Sequence, residues 1–336
     1  MPTESKPFTV LVTGGAGYIG SHAVLALLDA GWSVAVIDNL TTGFRWAVPD
    51  EVAFIEGDVS DMALVGRTLV EHGIGAVMHF AGSIVVPESV VDPLKYYRNN
   101  TAASRALIEA VVTAGVKHFI FSSTAATYGI PEEVPLRETT PTRPINPYGM
   151  SKLMTEYMLR DVVAAHPLNF CALRYFNVAG ADPQGRSGQS TAGATHLIKI
   201  AVEAATGKRG HVGVFGTDYD TPDGTGVRDY IHVSDLAEAH VHALDHLIVN
   251  PAESLIMNCG YGQGYSVLEV LDAVDRVTNM TIERRIEPRR AGDPDLLVAD
   301  NSKILATLPW RPKRNDLPKI IGDALAWERV LAAKRA

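Results

Sequence analysis

Cysteine is nearly missing from this chain of 336 residues: Cys171 and Cys259 are the only two, each inside an apolar, strand-like run. That leaves no disulfide framework of the secreted kind, and the expectation is two buried thiols in a reducing cytoplasm. Charge is modest, at 20% of residues with a formal net of -8. The basic surplus of a nucleic-acid or membrane-surface binder is therefore lacking. No apolar run approaches the roughly 18 residues of a membrane span, and the opening MPTESKPF has no apolar signal core. No Gly-x-x-x-x-Gly-Lys-[Ser/Thr] loop occurs, which excludes the phosphate site of a nucleotide hydrolase. HVSDLAEAHVHALDH is rich in histidine, and His242 and His246 share a helical face, yet the His-Glu-x-x-His order is absent. It reads as a polar helix face holding no metal, with His232 ending a strand. Fixed-period repeats and low-complexity tracts are also absent.

What the chain does hold is strand-helix alternation. Strand-like runs appear at Thr9–Thr13, Ser33–Ile37, Val52–Ile55, Ala76–Phe80, His118–Phe121 and Phe170–Tyr175. Helical spacing fills the gaps, as at Asp61–Glu71, Thr101–Ala114 and Tyr148–Ala165. Such alternation implies a doubly wound parallel α/β sheet of the Rossmann type, with ligands beyond the carboxyl ends of its strands. After Asn177 the rhythm breaks into two long glycine-rich loops, AGADPQGRSGQSTAG and GTDYDTPDGTG, around a helix near His196–Thr206 and a strand near Val212–Phe215. We expect residues 1–177 to form a dinucleotide-binding domain onto which parts of the later chain pack back. Residues 178–336 form a smaller α/β substrate cap, ending in a helix near Leu317–Ala333.

TVLVTGGAGYIGSH joins a buried strand to a helix through glycines, readable as Gly15-x-Gly17-x-x-Gly20 or Gly14-x-x-Gly17-x-x-Gly20. A strand, a glycine turn and a helix N-terminus in that order suit an anionic phosphate bridge. SVAVIDN places Asp38 about 20 residues further on, where an acid takes the ribose hydroxyls of adenosine. A carboxylate there repels a 2′-phosphate, so NAD is expected over NADP. Asp58 ends the third strand near the adenine; capping the helix at Asp61–Leu64 is a second duty open to it.

In INPYGMSK, Asn146 and Pro147 suit a helix cap and first turn, so Tyr148 and Lys152 share one face. A phenol titrates near pH 10 and is a poor base at neutrality. A nearby ammonium and an oxidised nicotinamide both favour phenolate, which could then take an alcohol proton while hydride leaves for NAD.

The glycine spacing Gly14-x-x-Gly17-x-x-Gly20, the strand end FSSTAATYG and Tyr148-x-x-x-Lys152 together resemble the extended short-chain dehydrogenase/reductases. With HFAGS, YYRNN, RYFNVAGA, GTGVRDYIHV and PRRAGDP, which run in order over nearly the whole chain, the likeness is to the UDP-glucose 4-epimerase branch. That resemblance implies an NAD-dependent isomerase that oxidises the C4 hydroxyl of UDP-glucose or UDP-galactose and returns hydride to the other face. It makes Tyr148 the acid/base, Thr124 its proton relay and Lys152 the ribose contact. It places Gly14, Gly17, Tyr18, Ile19, Gly20, Asp38, Asn39, Asp58, Val59, Phe80, Ala81, Gly82, Asn99, Ser122 and Tyr175, besides Tyr148 and Lys152, around NAD. Thr124, Tyr148, Asn177, His196, Leu197, Phe215, Arg228, Tyr230, Arg290, Asp293 and Leu297 would meet the UDP-sugar. Of these, Arg228 and Arg290 take the diphosphate and Asp293 the uridine ribose.

Related dehydratases carry Asp-Glu after the threonine; here Ala125 and Ala126 cannot move a proton, so simple epimerisation is expected. Ile84 stands where some relatives carry a lysine. Leu297 falls at a residue bounding the sugar pocket, and its intermediate size predicts little action on UDP-GlcNAc. Sibling substrates (UDP-xylose/arabinose, UDP-glucuronate or UDP-GlcNAc) and a non-catalytic NAD-binding regulator remain alternatives. The resemblance also implies a homodimer joined through the helices at Thr101–Ala114 and Lys152–Ala165.

Overall fold

A computed structural model describes residues 6–290 and 292–335. Most of MPTESKPF and Ala291 of PRRAGDP lie outside the described residues. The first half runs β1 (Thr9–Thr13), α1 (Tyr18–Asp29), β2 (Ser33–Asp38), β3 (Ala53–Glu56), α2 (Met62–Glu71), β4 (Ile74–His79) and the short helices α3 (Val86–Val91) and α4 (Pro93–Tyr96). It continues with α5 (Ala103–Thr113), β5 (His118–Thr124), α6 (Pro147–Ala165), β6 (Asn169–Tyr175) and β7 (Asn177–Ala179). Then come α7 (Leu197–Ala205), β8 (Val212–Phe215), β9 (Val227–His232), α8 (Val233–Val249), β10 (Leu255–Cys259) and β11 (Gly264–Ser266). The chain closes through α9 (Val267–Thr278), β12 (Arg284–Glu287), β13 (Leu296–Leu297), α10 (Ser302–Thr307) and α11 (Leu317–Arg335).

Seven strands form one sheet in the order β10-β6-β5-β4-β1-β2-β3, and every pairing in it is parallel. Val10, Val12, Met78, Ile120 and Leu173 face one core and Leu11, Val77, Phe119, Phe121 and Ala172 the other. Both faces are apolar because helices cover both, as a parallel sheet requires. Strand order reverses between β1 and β4, so the crevice opens where Gly14, Phe80 and Ala81 follow their strands. β10 and α8 come from the later chain: β10 pairs with β6, and α8 carries Leu236, Ala239 and Leu244 into the core that α1 also lines. Cys171 and Cys259 lie on these neighbouring strands as free, buried thiols. The register pairs Cys259 with Tyr175, four positions from Cys171, so no disulfide joins them.

The later chain also forms a four-stranded sheet of β11, β9, β13 and β7, and a two-stranded one of β12 and β8. Its own core includes Val202, Val214, Tyr230, Leu271 and Ile320. The differences from the expected boundaries are local. A π-helical stretch at Tyr97–Ala102 precedes α5, so the regular helix begins at Ala103 rather than Thr101. β5 extends to Thr124, three residues past its expected end, because each of Ser122, Ser123 and Thr124 keeps a partner on β6.

Candidate active site

The loop after β1 turns through Gly14, whose φ of +70° is left-handed. A Cβ there would stand 2.6 Å from the Ala81 nitrogen, and one on Gly20 would stand 2.1 Å from the Gly14 carbonyl oxygen. α1 starts with Gly17 as its cap and no side-chain partner for its first N–H groups, which is the arrangement that accepts an anion. Asp38, at the end of β2, accepts from the Ala16 nitrogen (2.9 Å) and the Leu40 nitrogen (2.8 Å). Burial raises its pKa against those two bonds. Its oxygens keep lone pairs for a ribose. Asp58 accepts from the Ser60 nitrogen and from Asn39 Nδ2, both at 2.9 Å. The helix-cap duty open to Asp58 belongs instead to Asp61, which accepts from the Leu64 nitrogen at 2.9 Å. Three residues separate a cap from its donor, and only Asp61 has that spacing.

Asn146 caps α6 by accepting from the Gly149 nitrogen at 2.9 Å, with Pro147 in the first turn. This sets Tyr148 and Lys152 one turn apart. Tyr148 and Thr124, the latter at the end of β5, line the same cleft, and Tyr96 stands edge-on to the Tyr148 ring at 6.4 Å. Lys152 Nζ donates to the Ser122 carbonyl at 3.0 Å and lies 5.1 Å from the Phe121 ring centroid. Burial lowers the Lys152 pKa to about 8. Burial raises that of Tyr148, with Thr124 acting the other way. The expected push of the phenol towards phenolate, by Lys152 together with an oxidised nicotinamide, concerns the NAD-bound site; in the chain by itself burial has the larger influence. Ser122 Oγ is in turn hydrogen-bonded to the Tyr175 hydroxyl.

These residues share one cleft of about 960 Å³, at the upper end of the size range of small-molecule sites. Every residue expected around NAD lines it except Lys152, which is 3% exposed and lies just beneath. Thr124, Asn177 and His196 line it as well. Burial lowers the His196 pKa. The glycine cradle, which any side chain would fill, and the acid at the end of β2 fit a dinucleotide.

The remaining substrate candidates lie off the cleft wall. Leu197 and Tyr230 line a small cavity of about 20 Å³ shared with Asn177 and His196. Arg228 donates through Nη2 to Asp293 (2.5 Å) and the Pro294 carbonyl (2.7 Å), and through Nη1 to the Val227 and Asp295 carbonyls (2.8 and 3.4 Å). The two residues expected to hold different parts of a nucleotide therefore hold each other. Arg290 lies 3.8 Å from the centroid of the Phe215 ring. Leu297 pairs in register with Arg228 and packs against the cluster of Ala125, Tyr128 and Leu136.

The pattern of the NAD dependent epimerase/dehydratase family matches residues 10–260. The chain belongs to that family. It is 58% identical to a UDP-glucose 4-epimerase of Azospirillum brasilense over 98% of this chain and 94% of the relative. Its fold matches the UDP-glucose-4-epimerase from Stenotrophomonas maltophila, solved with bound NAD and formylated UDP-arabinopyranose, at a TM-score of 0.94 and 39% identity, covering 97% and 99% of the two chains. It also matches the UDP-Glc/GlcNAc 4-epimerase of Campylobacter jejuni at 0.84 and 47%, covering 96% and 99%.

Within this epimerase-family cleft, several walls were not expected from sequence. Gln189 and residues 191–195 come from the first long glycine-rich loop, whose length was the available signal. Glu88, Lys95 and Arg98 line the rim near Ile84, and Lys95 pairs with Glu88 at 2.5 Å. No spacing rule marks them. No cluster of His, Cys, Asp and Glu fit to hold a metal occurs among the described residues.

Proposed function

We propose that this chain is an NAD-dependent UDP-glucose 4-epimerase that interconverts UDP-glucose and UDP-galactose through a 4-keto sugar. The observation that carries the reading is that Tyr148 and Thr124 line the same cleft as the glycine loop and Asp38. Gly14, Gly17 to Gly20, Asp38 and Asp58 hold the adenosine and phosphate part of NAD; Phe80 to Gly82, Asn99, Ser122, Lys152 and Tyr175 hold the other end. When bound, NAD supplies the hydride acceptor and donor for sugar C4.

The chain handles the proton. Tyr148, with Thr124 as its relay, takes the C4 hydroxyl proton and returns it after the keto sugar has turned over. The phenol needs a positive neighbour to ionise near neutrality, because the chain alone raises its pKa. Ala125 and Ala126, in the turn that Thr124 caps, offer no acid or base for expelling water, which separates the reaction from dehydration. Arg228 and Arg290 are the diphosphate ligands, their forks matching phosphate oxygens, once Arg228 exchanges Asp293 for substrate. Leu297 bounds the sugar. The dinucleotide-holding unit is residues 1–177 with the returning α8 and β10, and the rest is the cap.

A homodimer through α5 and α6, in a reducing cytoplasm, completes the proposal. The two free thiols support the compartment, and exposed Arg105, Glu109, Met154 and Tyr157 on those helices are available to the interface. No helix among the described residues is long and apolar enough to cross a membrane.

The test is incubation of the purified chain with each UDP-sugar and no added NAD, followed by chromatography. UDP-glucose and UDP-galactose should interconvert, and UDP-GlcNAc should react at least tenfold more slowly. Comparable rates on the N-acetylated sugars overturn the role of Leu297. No interconversion of either hexose overturns the activity.

A further inference from the structure

Glu156 sits one turn past Lys152 on α6, is 1% exposed, and takes no part in the chemistry above. Its Oε1 accepts from Ser123 Oγ (2.5 Å) and Arg174 Nε (2.9 Å), and its Oε2 accepts from Arg174 Nη2 (2.5 Å). Ser123 and Arg174 stand opposite each other in the β5–β6 ladder. One helix carboxylate therefore grips two strands at a single rung. The next rung is Thr124 with Tyr175, and both line the cleft. On its far side Arg174 Nη1 donates to the Tyr128 hydroxyl (3.1 Å), which donates to Asn258 Oδ1 on β10 (2.7 Å). Tyr128 packs against Ala125 and Leu297.

A buried ion pair is a poor source of stability, since well-packed apolar residues of similar volume serve as well or better. What an apolar pair lacks is direction. The planar fork fixes both the distance and the angle at which its carboxylate is held. We propose that Glu156 and Arg174 are positioning residues that fix the height and rotation of α6 over β5. They thereby keep Lys152 on the Ser122 carbonyl and Tyr148 at its place in the cleft with Thr124. This rests on the epimerase reading, in which an offset of about 1 Å between reacting groups can cost about 10²-fold in rate.

Two variants test it. Glu156→Asp keeps both charges but is one methylene too short for the fork. Glu156→Leu with Arg174→Met removes the pair and leaves apolar volume. Both should be folded, with bound-NAD content and KM for UDP-galactose within about threefold of wild type. In both, kcat should fall at least tenfold, although the double variant melts no lower than the single one. A folded variant of either kind with wild-type kcat overturns the proposal, as does a Glu156→Asp chain that fails to fold, since the pair then serves the fold alone. A wild-type chain without turnover overturns the epimerase reading itself, and this proposal with it.

Discussion

Left to the chain alone, the Tyr148 phenol is a reluctant base, because burial raises its pKa and outweighs the opposing influence of Thr124. Lys152 lies one turn away, but its ammonium is directed at a backbone carbonyl and burial brings its own pKa down to about 8. Burial thus disfavours the charged form of each member of the pair, raising the phenol and lowering the ammonium. Tyr148→Phe removes the reacting oxygen while keeping the ring that meets Tyr96 edge-on. Fold and NAD content should therefore be unchanged, and turnover should fall by about 10²–10⁴-fold. A purified Tyr148→Phe protein within tenfold of wild-type kcat would remove this residue from the acid–base role.

At the scale of elements, local rules reached far. Apolar spacing located β1, α1, β2 and α6 to within a residue or so, because each buries a continuous face and carries its own start signal: Asn146 and Pro147 for α6, the glycines for α1. What spacing could not reach is long-range. That β10 would pair with β6, that Glu156 would find Arg174, and that Arg228 would close on Asp293 depend on segments 18 to 84 positions apart, as the bonds of Arg174, Arg228 and Phe170 illustrate. Local pattern carries no information about such pairs. The glycine loop is the opposite case, since its geometry is entirely local and its tolerance narrow. Gly20→Ala would drive a methyl to 2.1 Å from the Gly14 carbonyl oxygen, which is backbone and cannot swing aside. The loop must open, at about 1–3 kcal/mol of overpacking strain. NAD retained through purification should drop at least tenfold, while the far-ultraviolet dichroism stays that of a folded α/β protein. Full NAD occupancy in Gly20→Ala would mean that the loop does not set the phosphate site.

The whole molecule carries a titration that no single element reveals. His22 on α1, His79 at the end of β4 and His240 on α8 are buried, and burial lowers their pKa values to about 4, 3 and 4 from an ordinary 6.5. Lys152 adds repulsion at His79. From pH 6.5 down to about 4 the unfolded chain binds protons at these rings that the fold excludes, so stability falls as pH falls. Asp229 works the other way. Burial raises it to about 6 from 3.8, so between those values the fold holds a proton that the unfolded chain releases. His118 and His196 are lowered as well, and Asp38 is raised alongside Asp229, so the lowered rings outnumber the raised carboxyls and stability is expected to fall as pH drops below about 6.5. His240 is the cleanest probe. Its ring packs near Phe80 and Tyr175, its Nδ1 donates only to the Leu236 carbonyl of its own helix, and its Nε2 has no partner among the described residues. His240→Phe keeps the ring and deletes the titration. Denaturant unfolding followed from pH 7 to pH 4.5 should show the slope of stability against pH reduced by about 1.4 kcal/mol per unit. An unaltered slope would mean that His240 titrates alike in the folded and unfolded chain, and the acid sensitivity would then have to come from other groups.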